Sequence, residues 1–502
     1  MTEPVICTPL RVEQAAVLRG GPGLPVIRTG RGPRRSQAAV GRFGLTGRPL
    51  AVAGLAGAVA PGLYPGDLVL ATEVRATEVR AGDTESIALP AAPLLATALR
   101  RRGLTVRLGP IQSTAAIVHG RDRAGYAAEQ VLAVDMESAQ LVQAAAGQPA
   151  MVLRAVVDTP EHPLLRAGTA GRGLRALRAL ATAAPVLAQW QLALGPREVL
   201  LAEPRSFCAG VSRAVDIVER ALRQYPAPVY VRRQIVHNAH VVRRLEQLGA
   251  VFVTELAEVP RNATVVLAAH GVAPEVYRQA AERDLQVVDA TCPLVAKVHS
   301  EIRRYAARGD TVLLIGHSQH EEVVGSRGQA PDQVIVIADL KQAETVSPVD
   351  ENRVSYAMQT TLAVEEADEI AAVLRERFPG ITGPARQDIC YASSNRQQAV
   401  RAVAADTDLV LVLGSANSSN SQRLVEVAER AGTTAYLVED AEHIDLDWLI
   451  SARRIGLTAG ASAPAELLDE VLGALTGLGP VAAGTTSVTE ERVQFSLPKE
   501  VS

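Results

Sequence analysis

From residue 198 to residue 475 the sequence alternates between short apolar runs and longer amphipathic stretches. Candidate strands fall at 198–203, 228–231, 264–269, 286–289, 311–315, 333–337, 353–357, 408–413, 434–438 and 454–458. Candidate helices fall at 211–224, 239–248, 274–283, 294–307, 364–376, 395–405, 420–431 and 464–475. This order predicts largely parallel sheets covered by helices, because parallel strands need a crossover and the crossover is usually helical. Ligands bind such sheets beyond the carboxyl ends of the strands. Three of the four cysteines read at such ends: Cys208 after VLLAEPRSF, Cys292 after QVVDAT and Cys390 after ARQDI.

The chain divides near residue 197. A helical stretch at 164–195, with Leu174, Leu177, Leu180, Ala181 and Ala184 at three-to-four spacing, ends at Gly195-Pro196, and a new strand follows at once. At 502 residues the chain has room for two to four domains. The first 196 residues alternate apolar runs with Gly-rich turns, and strands are expected at 50–56, 67–71, 104–108, 131–135 and 151–157. The segment 71–80 reads ATEVR twice, which is expected to be a tolerated surface insertion.

Charge and cysteine content exclude several classes. Lys+Arg is 51 against 54 Asp+Glu, a net charge of −3 that leaves no excess of cations to track a nucleic acid. No apolar run reaches the ~18–20 residues of a membrane helix, and the N-terminus has no basic stretch leading into an apolar run. Four scattered cysteines do not make a disulfide framework, so a cytoplasmic protein is expected.

Cys208, Cys292 and Cys390 stand 84 and 98 residues apart, which excludes a local zinc knuckle and the close spacing of ferredoxins. One reading makes them buried core thiols. The other has them converge from three sub-domains on an iron–sulfur cluster with one iron free of protein thiolate, open to substrate. His237, His270, His320 and the run GSANSSNS occupy similar loop positions, which favours the second reading. The histidines offer charge-assisted hydrogen bonds to an anion, and Ser418, Ser419, Asn420 and Ser462 offer neutral ones. A helix opening at Asn420 would add backbone N–H groups.

Residues 198–475 resemble the 4-hydroxy-3-methylbut-2-enyl diphosphate reductase (IspH/LytB) family. The resemblance is carried, in order, by FCAGVSRAV (207–215), QIVHNAHVV (234–242), AAHGV (268–272), DATCPLVAKVH (289–299), GHSQHEEVVG (316–325), QTTLAVEEA (359–367), DICYASSNRQQAV (388–400), GSANSSNSQRL (414–424) and TAGASAP (458–464). It implies an α/β trefoil of three units, roughly 197–290, 291–385 and 386–480 within a domain spanning 197–490. The trefoil would surround one [4Fe-4S] cluster per chain, held by Cys208, Cys292 and Cys390. It further implies two-electron removal of the hydroxyl of 4-hydroxy-3-methylbut-2-enyl diphosphate, giving isopentenyl and dimethylallyl diphosphate. A ferredoxin or flavodoxin would serve as electron donor, and the C-terminal tail VQFSLPKEVS would close over the domain.

Glu322 matches the family's proton donor and Thr360 its relay to the substrate hydroxyl, with His320 beside them. Glu321 reads as a surface residue. Two motifs depart from the family pattern. Ser206 replaces the glycine before Phe207, and Glu321, Val324 and Ser326 are changed in HEEVVGS.

Residues 1–196 resemble the nucleoside phosphorylase and nucleosidase superfamily through VAGLAGAVAPGLYPGDLVLA (52–71), AVDMESAQLVQAA (133–145) and VLRAVVDTP (152–160). That implies one α/β domain with a possible nucleoside ligand. Met136 and Glu137 would hold the ribose, and Asp158 would protonate a departing purine. GRGPRRSQAA (30–39) would be an anion-binding loop. No base-stacking aromatic residue is evident. The alternative for the whole chain is a catalytically inactive, cluster-binding paralogue with a sensing or regulatory role.

Overall fold

A computed structural model describes residues 2–77, 84–119, 121–164, 166 and 168–501. The described chain forms two compact units. One comprises Met1–Val199, Asp440–Arg453 and Asp469–Ala483; the other comprises Leu200–Glu439, Arg454–Leu468 and Gly484–Ser502.

In the first unit, eight strands form one mixed sheet. Five of them close on themselves: Leu50–Ala58 pairs with Ala133–Asp135, which pairs with Val106–Ser113, then Leu68–Thr77, then Ala150–Asp158, which returns to Leu50–Ala58. Closure leaves no free edge on those strands. Val5–Thr8, Val26–Arg28 and Thr84–Ala88 extend the sheet outward. The core is Val, Leu and Ala from both layers. The helix expected over 164–195 runs from Thr169 to Ala193. The first ATEVR copy is no surface insertion: it continues the strand Leu68–Thr77, and Val74 is fully buried. Residues 78–80 of the second copy lie outside the described residues.

Three further sheets are formed by the described residues from Arg197 onward. The first orders Ala250–Val253, Val229–Arg232, Thr264–Leu267 and Gln286–Asp289, all parallel. The second orders Val334–Ile337, Thr311–Ile315 and Val354–Met358, also parallel. The third orders Ala435–Val438, Leu409–Leu413, Arg454–Ala459, Arg197–Glu203 and Val481–Ser487. Runs such as LVLVL are buried along their whole length, as strands covered on both faces must be.

The strand Arg197–Glu203, expected in the first sub-domain, lies instead in the third sheet. The segment before Cys390 is not a strand. It is irregular, held by Met358 N–H donating to Asp388 Oδ2 (2.9 Å) and by Lys297 Nζ donating to Asp388 Oδ1 (2.9 Å).

Candidate functional site

The sheets explain why residues far apart in sequence meet. Cys208, His237, His270, Cys292, His320, Thr360, Ser418 and Ser462 each lie two to five residues past the carboxyl end of a strand. With Cys390, Glu322, Ser419 and Asn420 they line a single cavity of about 780 Å³. Every C-terminal site residue expected from the sequence is in its wall.

Each cysteine caps a helix N-terminus: Cys208 before Ala209–Gln224, Cys292 before Pro293–Ala307 and Cys390 before Tyr391–Ala404. Three positive helix ends therefore face the sulfurs, a setting that favours thiolates. Backbone bonds tie each cysteine to another part of the wall. Cys208 N–H donates to Ala461 O (3.3 Å), Cys292 N–H to Ala269 O (3.0 Å) and Cys390 N–H to Thr360 O (3.0 Å). Burial and the neighbouring sulfurs work the other way, pushing the Cys292 thiol up to about 11 and the Cys390 thiol up to about 12.

Buried sulfurs on one cavity suit a metal centre, which takes thiolates directly. Gly210 leaves room for one. A Cβ there would lie 2.8 Å from Cys292 Sγ and 3.8 Å from Cys208 Sγ. The residues present thus fit an iron–sulfur cluster with three protein ligands.

Across the cavity, three imidazoles pack together. His237 stacks on His270 with ring centroids 4.0 Å apart, and His320 meets both edge-on. His320 Nδ1 accepts the Glu322 N–H (3.2 Å), so in the neutral ring the proton sits on Nε2 and is available to an anion. Burial lowers His237 to about 3 and His320 to about 4, so both are neutral donors at pH 7 before any anion arrives.

The helix Ser419–Arg430 begins one residue before the expected start and points its N-terminus at the cavity, with Ser418 as N-cap. Ser418 Oγ and Ser462 Oγ lie 3.2 Å apart, and Ser462 Oγ–H donates to the His237 carbonyl (3.1 Å). Asn420 Oδ1 accepts the Ala461 N–H (2.9 Å).

Glu322 is 2 % exposed, and its carboxylate is gripped by Thr360, whose N–H donates to Oε1 (2.6 Å) and whose Oγ1–H donates to Oε2 (3.0 Å). Burial outweighs these bonds and raises its pKa to about 7. That places a carboxylic acid with a transferable proton beside a hydroxyl that can relay it.

Some of the site was not visible in the sequence. Glu321 is not a freely exposed residue: its side chain is only 24 % exposed and sits 3.4 Å from His270 Nδ1. Arg396 is buried; it donates to the Ser206 carbonyl (2.8 Å) and pairs with Glu491 (2.9 Å), tying the Cys208 loop, the Cys390 helix and the C-terminal segment together. That segment does fold over its unit. Phe495 lines the cavity, Arg213 donates to the Ser496 carbonyl (2.8 Å), and Val501 is buried.

Ser206 has φ 59°, which explains why glycine is the usual residue there. Its Oγ is buried without a hydrogen-bond partner. Ser206→Gly should therefore stabilise the protein by about 1 kcal/mol. The check is a higher melting temperature at unchanged metal content; a lower one contradicts the strain.

The first unit carries its own cavity, about 810 Å³, lined by Met136, Glu137 and Asp158 together with Glu13, which the sequence reading missed. Arg154, fully buried, pairs with Asp135 and stands 3.5 Å from Glu137. Glu137 Oε1 accepts the Gly32 N–H (2.8 Å), so that amide of the expected anion loop serves a carboxylate instead. Glu13 accepts the N–H groups of Leu10 (2.6 Å) and Leu55 (2.8 Å). Burial raises the pKa of both Glu13 and Glu137.

Asp158 is ion-paired to the buried Arg123 guanidinium. Among the described residues lining this cavity none is aromatic.

A mixed α/β chain that gathers three cysteines, three imidazoles and a cluster of hydroxyls at strand ends has the side chains of an enzyme site able to hold a metal centre. Comparison with known proteins gives the family: the chain belongs to the LytB protein family, whose pattern matches residues 199–476. Residues 20–183 match the Phosphorylase superfamily.

A 4-hydroxy-3-methylbut-2-enyl diphosphate reductase of Acidothermus cellulolyticus is 53% identical over 309 residues, covering 61% of this chain and 91% of that one. One from Mycobacterium ulcerans is 54% identical over 306 residues, 61% of this chain and 92% of that one. Among solved structures, the E-1-hydroxy-2-methyl-but-2-enyl-4-diphosphate reductase of Plasmodium falciparum superposes with a TM-score of 0.59 at 32% identity. That superposition covers 61% of this chain and 97% of that one. Among the described residues no helix is long and apolar enough to cross a membrane.

Proposed function

We propose that residues 197–490 reduce 4-hydroxy-3-methylbut-2-enyl diphosphate to isopentenyl and dimethylallyl diphosphate, the closing step of the methylerythritol phosphate route, in the cytoplasm. The observation that carries the reading is the convergence on one cavity of Cys208, Cys292 and Cys390 with the Glu322–Thr360 pair and the His/Ser/Asn wall. The three cysteines would hold one [4Fe-4S] cluster. When bound it would pass on, one at a time, the two electrons of an external donor and would offer a Lewis-acidic iron without a protein thiolate. A ferredoxin or flavodoxin delivers the electrons.

The rest falls to the chain's own side chains. His237, His270 and His320 take the diphosphate with Ser418, Ser419, Asn420, Ser462 and the helix N-terminus behind them. That leaves the alcohol end of the substrate toward the cysteines. Thr360 receives the substrate hydroxyl, and Glu322 supplies through it the proton with which hydroxide departs as water. Overall the substrate gains two electrons and two protons; the C–O bond breaks and a C–H bond forms at the allylic system. Phe495 and other apolar side chains complete the wall of the same cavity.

The test is turnover of the substrate by anaerobic protein with a one-electron donor. Formation of both five-carbon diphosphates supports the reading. An intact cluster with no turnover would favour the inactive paralogue, a reading that leaves the buried Glu322–Thr360 pair without a task.

Residues 1–196 are proposed to bind a nucleoside, with Glu137 and Met136 at the sugar. The buried carboxylates facing one cavity support this.

A further inference from the structure

The sequence His320-Glu321-Glu322 opens a seven-residue helix, Glu321–Arg327, and sends its three side chains to three tasks. His320 lines the cavity, and Glu322 is bonded to Thr360. Glu321, one of the departures from the family pattern, points behind the imidazole cluster. Its Oε2 lies 3.4 Å from His270 Nδ1, and its Oε1 lies 3.6 Å from the Arg233 guanidinium. Arg233 is held in turn by Glu255 (3.2 Å). His270 Nδ1 is buried and has no hydrogen-bond partner within normal geometry, so the Glu321 carboxylate is the acceptor at hand.

We propose that Glu321 is a positioning residue for His270. It holds the ring from behind through Nδ1 and turns Nε2 toward the diphosphate. The inference rests on the diphosphate reading of the cavity. A histidine backed by a carboxylate keeps a fixed orientation and becomes a stronger donor at its far nitrogen, because the positive charge it gains on meeting an anion is compensated. The Nδ1 atoms of His237 and His320 are otherwise engaged: His237 Nδ1 faces the Gln234 amide oxygen (3.3 Å), and His320 Nδ1 takes a backbone N–H. Of the three imidazoles, His270 is thus the one with a carboxylate at its Nδ1.

A metal ion is a weaker use of the same groups. Ligand atoms of His237, His270 and Glu321 lie within 4.8 Å of one another. The two rings, however, stack at 4.0 Å with planes 21° apart, and one ion cannot sit near both ring planes in that arrangement.

The experiment titrates inorganic pyrophosphate into the full-length, cluster-loaded protein and its Glu321→Ala and Glu321→Gln variants by calorimetry, beside steady-state kinetics on each. Glu321→Ala should weaken pyrophosphate about tenfold and raise KM for substrate by a similar factor with kcat nearly unchanged. Glu321→Gln, which keeps an acceptor and loses the charge, should recover part of that loss. Iron content and melting temperature should match the unaltered protein.

Equal pyrophosphate affinity in all three proteins, or a fall in kcat at constant KM, overturns the proposal while leaving the function standing. Stoichiometric zinc binding that Glu321→Ala abolishes overturns it in favour of a metal. Failure of the unaltered protein to bind pyrophosphate overturns the diphosphate reading itself, and this inference with it.

Discussion

Cys292→Ser should yield a folded chain that carries fewer than about one iron where the unaltered protein carries about four, and its reductase turnover should fall below detection. The fold should survive for a local reason. Cys292 is the N-cap of Pro293–Ala307 and its N–H bonds to the Ala269 carbonyl. Serine caps helices at least as well, and the backbone bond is untouched. What serine cannot replace is a thiolate ligand in a buried wall where the other two sulfurs are already set. Circular dichroism and metal analysis on the same sample separate the two effects. A full iron complement in the variant would remove Cys292 from the ligand set, and an unfolded variant would mean that the sulfur is a packing residue.

The second large effect is expected at Glu322. Glu322→Gln keeps the volume and most of the bonds from Thr360 but has no proton to give. Turnover should drop by ~10²–10⁴ with pyrophosphate affinity and cluster content retained. The pH profile of the unaltered protein carries the same information. With its pKa raised to about 7, Glu322 is protonated and competent below that pH and loses its proton above it, so kcat should fall as pH rises through about 7. Near-normal turnover in Glu322→Gln, or a kcat that climbs through that range, would assign the proton to another group.

Much of this site was legible because its parts lie at strand ends, where period-2 and period-3.6 patterns change over. The alternation predicted most of the long elements of the second unit, and the cysteines and histidines fell in the gaps between them. The elements left unread from Arg197 onward include the strands Ala250–Val253 and Val481–Ser487 and the helices Glu321–Arg327, Leu340–Thr345 and Leu446–Ser451, none longer than seven residues and so too brief for a period to stand out.

Cys390 was placed after a strand at ARQDI, although Arg386, Gln387 and Asp388 make no apolar run there. In the fold it reaches a strand end only through its bond to Thr360. Buried arginines were also out of reach. Arg396 and Arg154 look like any other arginine in a chain whose 51 basic residues include only three lysines. Their roles come from carboxylates and carbonyls that are distant in sequence. Glu321 was misread for the same reason: its partners, Arg233 and His270, are supplied by the neighbouring sheet. Asp158 shows the converse, since its position was legible but its pairing with Arg123, 35 residues away, was not.

The central claim is that the three-cysteine cavity houses a cluster that the substrate touches. It is tested most directly on anaerobically purified protein, by iron and sulfide analysis together with electron paramagnetic resonance, before and after adding 4-hydroxy-3-methylbut-2-enyl diphosphate to the reduced sample. About four irons and four sulfides per chain, with a signal that changes when the diphosphate is added, is the predicted result. A chain without iron despite three intact cysteines, or a cluster whose signal ignores the diphosphate, would contradict it.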